Sequence, residues 1–245
     1  MNEQNEKIEA GEIVVQSRFV KWLDNYWYHY KWPTIIVAFF LLVGAVSFSQ
    51  CASNEKYDLV VSYTGDASIS QEQQSRLLEL FTALAPENEK GTGKQSVGLT
   101  TYLIYDPERL KEICTDAEGN QDVMAYTAAN QTSGNNFKTF DSYVATGDCA
   151  LDLVSEYVYK QRPDLGQTMM RPLTSIYGEA LPASAYDGYA IRFTETAFYQ
   201  YYQGVLGLIP EDTLLLIPAK TLFVSEDTYA DYEALCLAVL NFQAP

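Results

Sequence analysis

Histidine is nearly missing from this 245-residue chain: His29 is the only one, and residues 52–245 contain none. Without an imidazole in that stretch, a serine–histidine or cysteine–histidine mechanism is excluded there, and zinc loses its usual nitrogen ligand. Cysteine is sparse. Cys51, Cys114, Cys149 and Cys236 stand far apart with no CxxC pair, so no metal site is expected. Cys149 in CALDLV and Cys236 in DYEALCLAVL read as small core residues, and free thiols are expected rather than a disulfide. Basic residues are outnumbered, 16 Lys and Arg against 32 Asp and Glu, for a net charge of −16. Residues 1–51 carry five acids and four bases, so nearly all of the imbalance lies beyond them. Such a surface repels phosphate backbones, which excludes nucleic acid as a partner, and it is repelled by anionic headgroups too. The chain also lacks a GxSxG elbow, a Walker loop, a GxGxxG fingerprint and an HExxH pair. Carboxylates such as Asp148, Asp152, Asp187 and Glu195 are abundant, and abundance singles out no catalytic pair. The expectation is a protein that is not an enzyme and holds no cofactor, with a carboxylate-dependent hydrolase as the remaining enzymatic alternative.

What is present is a long apolar run. From Thr34 to Phe48 no residue is charged. Extended by Trp32 and Pro33 at one end and Ser49 to Cys51 at the other, it approaches the ~20 residues that cross a bilayer. Pro33 suits the first turn of such a helix. Before it stand Trp22, Tyr26, Trp27, Tyr28, Tyr30 and Trp32, amphipathic rings of the kind that sit at headgroup level. Val15, Phe19, Trp22, Leu23, Tyr26 and Tyr30 recur at three- and four-residue spacing, which predicts an amphipathic helix on the membrane surface. The expected layout is a tail and juxtamembrane helix over 1–31, a transmembrane helix over 32–52, and an external domain over 54–245. Arg18, Lys21 and Lys31 precede the run and only Lys56 closely follows it, so the N-terminus is expected in the cytoplasm and the C-terminal domain outside. The late start of the run and the poor cleavage site at Ser47-Phe48-Ser49 favour an uncleaved signal anchor over a signal peptide. Lipidation of Cys51 is a weaker reading, because Gln50 precedes it.

Strand and helix signals alternate through the external part. YDLVVSYTGD (57–66) predicts a strand, and Ser70 with Gln73 a capping box ahead of Leu77, Leu80, Phe81 and Leu84. SVGLTTYLIYD (96–106) predicts a second strand and PERLKEIC (107–114) a helix. TDAEGNQD reads as a turn; residues 121–136 give no clear signal beyond TAANQTSGNN (127–136), which reads as an exposed loop, and its triplet Asn130-Gln131-Thr132 is better read as a chance match than as a used glycosylation site. A helix follows over 137–144, then the strand CALDLVS (149–155) and a short helix at SEYVYKQR. Residues 163–188 show no period. DGYAIRF (187–193) predicts a strand, and Thr194 the cap of a helix burying Phe198, Tyr202, Val205 and Leu206. DTLLLIPA (212–219) predicts a buried strand, and the last helix buries Tyr232, Leu235, Cys236 and Val239. This alternation predicts an α/β fold with a largely parallel or mixed sheet flanked by helices.

The chain has 19 tyrosines, and Tyr177, Tyr186 and Tyr189 cluster in one segment, where large area with a polar handle suits a binding surface. The order strand–helix–strand–helix, followed by TGDCALDLVSEYVYK and a loop with RPL, resembles the first lobe of extracytoplasmic solute-binding proteins. The stretch DNYWYHYKWPTIIVAFF is also similar to that of single-pass membrane proteins of Gram-positive gut bacteria. The first resemblance implies a ligand cleft at the strand ends, with Asp148, Asp152 and Ser155 on one wall and Thr64, Gly65 and Asp66 where the first strand meets it. The candidate ligand-binding set is therefore Thr64, Gly65, Asp66, Asp148, Ser155, Tyr177, Tyr186 and Tyr189. Expected partners are the lipid bilayer and a small solute, or alternatively another envelope protein onto which the domain docks as an accessory subunit.

Overall fold

The apolar run sits in a single long helix. In the computed structural model, which describes residues 18–53, 57–88, 91 and 93–244 (in the first helix, side chains only at Trp22 and over 25–46), α1 spans Arg18–Ser53. Its stretch Asn25–Val46 is 22 residues, long and apolar enough to cross a membrane, at about 33 Å of rise. Two expectations change here. The juxtamembrane segment and the apolar run form one uninterrupted helix, and Pro33 lies inside it rather than in its first turn. Pro33 removes one i→i−4 bond, yet the i,i+4 rings Trp22, Tyr26 and Tyr30 stack at 5.7 and 5.4 Å across this region. Tyr26 Oη and Thr34 Oγ1 also pair at 2.9 Å. All six belt residues, Trp22, Tyr26, Trp27, Tyr28, Tyr30 and Trp32, are exposed along the helix. The tail and Val15 lie outside the described residues.

Residues 57–245 form a second compact unit. Its sheet has five strands, β1 (Leu59–Gly65), β2 (Val97–Leu103), β3 (Leu151–Ser155), β4 (Ala190–Arg192) and β5 (Thr213–Leu216), in the order β2-β1-β3-β5-β4. β1 runs parallel to β2 and β3, whereas β5 is antiparallel to β3 and β4. The sheet is thus mixed, and its helices cover both faces. Period-two alternation sorts the strand residues. Leu59, Val61, Tyr63, Leu151, Leu153 and Leu215 point to one face, under α2 (Gln71–Leu84), α8 (Ala197–Tyr201), α9 (Gln203–Leu206) and α10 (Glu226–Leu240). Tyr102, Val154, Leu214 and Leu216 point to the other, under α4 (Val123–Thr146), α5 (Glu156–Gln161) and α6 (Leu165–Met169).

Local signals explain most boundaries. Ser70 and Gln73 close the capping box of α2. Asp106 caps α3 (Pro107–Ile113), whose first residue is proline, and Ser155 caps α5. Tyr232, Leu235, Cys236 and Val239 are buried on α10 as expected. Two expectations fail. Residues 123–136 are helical, part of α4, because Asp122 caps it and accepts from Ala125 N. Thr127 and Thr132 turn their hydroxyls back to carbonyls one turn earlier, so their polarity does not interrupt the helix. Asn130 accordingly sits on a helix, not a loop. The cap assigned to Thr194 belongs to Thr196, which accepts from Tyr199 N, while Thr194 donates to the Glu211 carbonyl. The segment 163–188 contains α6 and the one-turn α7 (Thr174–Tyr177). Gly147 ends α4 with φ of 74°, a conformation that glycine adopts without a Cβ penalty.

Candidate functional site

The chain leaves β1 through α2 on one face and leaves β3 into α5 on the other, although β1 and β3 are neighbours. Their carboxyl ends therefore part at a topological switch point, where open α/β sheets form a crevice for ligands. Thr64, Gly65 and Asp66 end β1 there and Ser155 ends β3. Gly65 is required by crowding: a Cβ on it would lie 2.6 Å from Tyr63 Oη and 3.3 Å from Ser155 Cβ. Tyr63 is buried, and its hydroxyl accepts from Ala67 N at 3.2 Å. Burial pushes that phenol well above its ordinary value, so it serves as a neutral group at any ordinary pH.

Because β5 is antiparallel to β3, its first residue Thr213 pairs with Ser155, which brings Asp212 to the same edge. Glu156 N donates to the Asp212 carbonyl at 3.0 Å. Partial burial raises the Asp212 carboxyl above its usual range, and the like charges of Asp66 and Glu156 add to this. Glu156 is held below its usual range, first by Lys160, which it meets at 2.5 Å. Arg109 approaches Asp66 at 3.9 Å. Tyr186 donates to Glu156 Oε1 at 3.1 Å, and the Arg192 guanidinium lies 5.1 Å over its ring. Arg192 in turn borders an open polar recess of about 440 Å³ that it lines with Thr194, Glu195, Tyr199, Gln200, Gln203 and Glu211. A chain of contacts thus runs along the strand ends from Asp212 through Glu156 and Tyr186 to Arg192 and the recess.

Five of the eight candidate residues belong to this edge: Thr64, Gly65, Asp66, Ser155 and, by its reach to Glu156, Tyr186. Thr64 is fully buried, on the face of its register partners Tyr102 and Val154, so its hydroxyl is not offered at the strand end. Tyr189 packs against Gly166 on the α6 side. Tyr177 is half-buried at the end of α7 against the other face. Asp148 precedes β3 and stands at the opposite edge, where its carbonyl accepts from Tyr143 Oη at 2.9 Å. Asp152, assigned to the cleft wall by resemblance, is wholly enclosed on β3. Its Oδ1 accepts from Ser62, and Oδ2 is sealed in without a partner. It therefore belongs to the core.

Sequence reading missed Glu156, Arg192, Glu211 and Asp212. Asp212 was visible as the residue opening DTLLLIPA, but a parallel reading of that strand sends it to the far edge. Cys114, Cys149 and Cys236 are unpaired thiols, and no cluster of His, Cys, Asp and Glu suited to a metal occurs among the described residues. Comparison with protein-family models, with curated proteins and with solved structures found no match.

Proposed function

We propose that the chain is a membrane-anchored binding protein whose external α/β unit takes a small polar solute at the strand-end edge, without transforming it. The observation that carries this reading is the run of contacts along the strand ends, from Glu156 after β3 through Tyr186 to Arg192, which borders the open polar recess together with Glu211. A solute there would meet both signs of charge, with Asp66, Glu156 and Asp212 on one side and Arg192 on the other. An amino acid or short peptide, carrying both signs itself, fits that arrangement better than a sugar. The helix Asn25–Val46 supports the anchor, and Arg18, Lys21 and Lys31, all ahead of the uncharged run Thr34–Phe48, support a cytoplasmic N-terminus.

The test is thermal unfolding of residues 57–245, a unit with its own core, against amino acids, short peptides, sugars and divalent cations. A ligand at 100 times its Kd adds about 2.7 kcal/mol, which raises the midpoint by roughly 5–11 °C for this length. The expected result is a saturable shift for one ligand class that Asp212→Asn or Arg192→Ala abolishes. A cooperative transition that none of the four classes moves would sink the solute-binding reading for them. A shift that survives both substitutions would place the ligand elsewhere.

A further inference from the structure

We propose that the loop 219–225 dips into the lipid surface holding the chain's own anchor helix, with Leu222 and Phe223 as the inserted pair; this rests on the anchoring read from α1. Leu222 is 101 % and Phe223 79 % exposed, side by side at the turn between β5 and α10. Two large apolar side chains held in water by a loop that is otherwise well tied down call for an apolar covering.

The loop is indeed tied. Ala219 N donates to the Met169 carbonyl at 2.9 Å, and Thr221 Oγ1 donates to the Thr146 carbonyl at 2.8 Å while receiving Phe223 N at 3.3 Å. The Thr221 side chain also fills the space beside Gly147, where a Cβ would come within 2.6 Å of it. Lys220 is paired with Glu226. The exposed pair is thus presented by a fixed turn.

Strand polarity says which covering. β5 is antiparallel to β1 and β3, so its end, and the loop after it, lie at the edge where β1 begins. That is the edge where the chain enters from the anchor. The crossing stretch ends at Val46 and α1 runs on to Ser53, about 10 Å further; from Ser53 to Leu59, the first of β1, is six residues, a reach of at most about 20 Å. β5 is two strands from β1, about 10 Å across the sheet. A connection of this length limits the entry edge to about 30 Å from the bilayer at most, which sets a high effective concentration, so a weak two-residue insertion is enough. The other exposed apolar pair, Val123 and Met124, stands at the opposite end of α4, about 33 Å away along that helix. Asp227 in the first turn of α10 and Asp148, next to the Gly147 on which Thr221 packs, oppose anionic headgroups. The contact is therefore apolar and favours zwitterionic lipid.

The full chain, with Cys51→Ser and Cys114→Ser, is reconstituted in phosphatidylcholine vesicles carrying a nitroxide on the lipid. An environment-sensitive fluorophore is attached at Asp227→Cys, beside the loop, or at Met124→Cys. All three tryptophans lie between residues 22 and 32, so their quenching reports the anchor separately. The expected result is tryptophan quenching together with a loss of emission at 227 that exceeds the loss at 124. Leu222→Ser with Phe223→Ser then lowers the loss at 227 to the level at 124, and anionic lipid weakens it. Quenched tryptophans with equal small losses at 227 and 124 would overturn the loop contact and leave the anchor standing. A loss at 227 unchanged by the double serine variant would overturn the role of this pair. Unquenched tryptophans would overturn the anchor, and the loop contact with it.

Discussion

The two faces of the sheet are built from different chemistry. On one, β1, β3 and β5 present Leu59, Val61, Tyr63, Leu151, Leu153 and Leu215 to Phe81, Phe198, Leu235 and Val239, a layer of almost pure hydrocarbon and rings. On the other, the same strands present Ser62, Thr64 and Asp152 among Val154, Leu214 and Leu216, beside Tyr102 of β2 and beneath Phe140 and Val144 of α4. The first face makes the unit stable, since burial of apolar area is the dominant favourable contribution. The second makes stability depend on pH and fixes strand register, because a one-residue slip of β3 would bring Asp152 under the apolar layer.

The largest effect sharpens the first half of that contrast. Phe81 is fully buried and packs at 5.7 Å from Phe198. Phe81→Ala is expected to cost about 3–5 kcal/mol in urea unfolding of residues 57–245. A loss below about 1 kcal/mol would mean that the layer collapses into the gap and is not close-packed.

The second prediction addresses the polar face. Asp152 is enclosed, and the titratable groups that feel its charge, Tyr102, Tyr143, Cys149 and Cys236, are neutral when protonated. Tyr102 itself is pushed up to about 12, first by burial. Among the described residues no cation offsets the carboxylate, and Cys149 directs its proton to the Leu151 carbonyl at 3.0 Å. Burial therefore raises Asp152, against the smaller opposing effects of Ser62 and Cys149. The sign follows: the folded state holds the proton more tightly than the unfolded one, so this group's contribution is complete below the unfolded value near 3.8. It is lost as pH rises towards the folded value. Asp152→Asn should match the native protein at about pH 3.5 and exceed it at pH 7, by about 1.4 kcal/mol for each unit of elevation. Equal destabilisation by Asn at both pH values would show that the carboxylate is paired, and the contrast between the faces would fail.

How far the sequence discloses these faces depends on the range of each signal. Local signals were readable: the Ser70–Gln73 box, Pro107 opening α3, and the stripe Tyr232, Leu235, Cys236, Val239 all rest on residues within two turns of one another. The candidate edge was legible where one strand sufficed, at Gly65, Asp66 and Ser155. What was not legible needed strand direction. Asp212 reaches the edge only because β5 is antiparallel, and nothing within DTLLLIPA states that. Asp152 reads as a plausible cleft residue until its parity with Val154 assigns it to the covered face. The helical run 123–136 was hidden because TAANQTSGNN is rich in loop formers, and only its tertiary support decides in favour of helix.

That support gives the third prediction. Asp122 accepts from Ala125 N at 2.9 Å and opens the helix that roofs the polar face. Asp122→Ala should cost about 1 kcal/mol, measured as a shift of the urea midpoint without a change in slope. A reduced slope with a smaller shift would mean that 123–136 unfolds by itself, leaving the polar face covered only by Phe137 to Val144. The roof would then be two cooperative units rather than one.

The smallest effect concerns Tyr186, which joins the polar face to the strand-end edge. Its hydroxyl donates to Glu156 Oε1, its ring meets Tyr159 edge-on at 6.0 Å, and Arg192 lies over it. Tyr186→Phe keeps the ring and removes one hydrogen bond at a half-exposed site, so the loss should stay below about 1 kcal/mol. Glu156 retains Lys160 and keeps its charge. Stability alone therefore says little about this residue, and the informative measurement is the ligand-dependent midpoint shift. If Tyr186 only props Glu156, the shift survives in the phenylalanine variant. If the hydroxyl also meets the solute, the shift falls while the ligand-free midpoint stays within a few degrees of native. Only the second outcome makes the tyrosine-rich segment part of the binding edge rather than packing behind it.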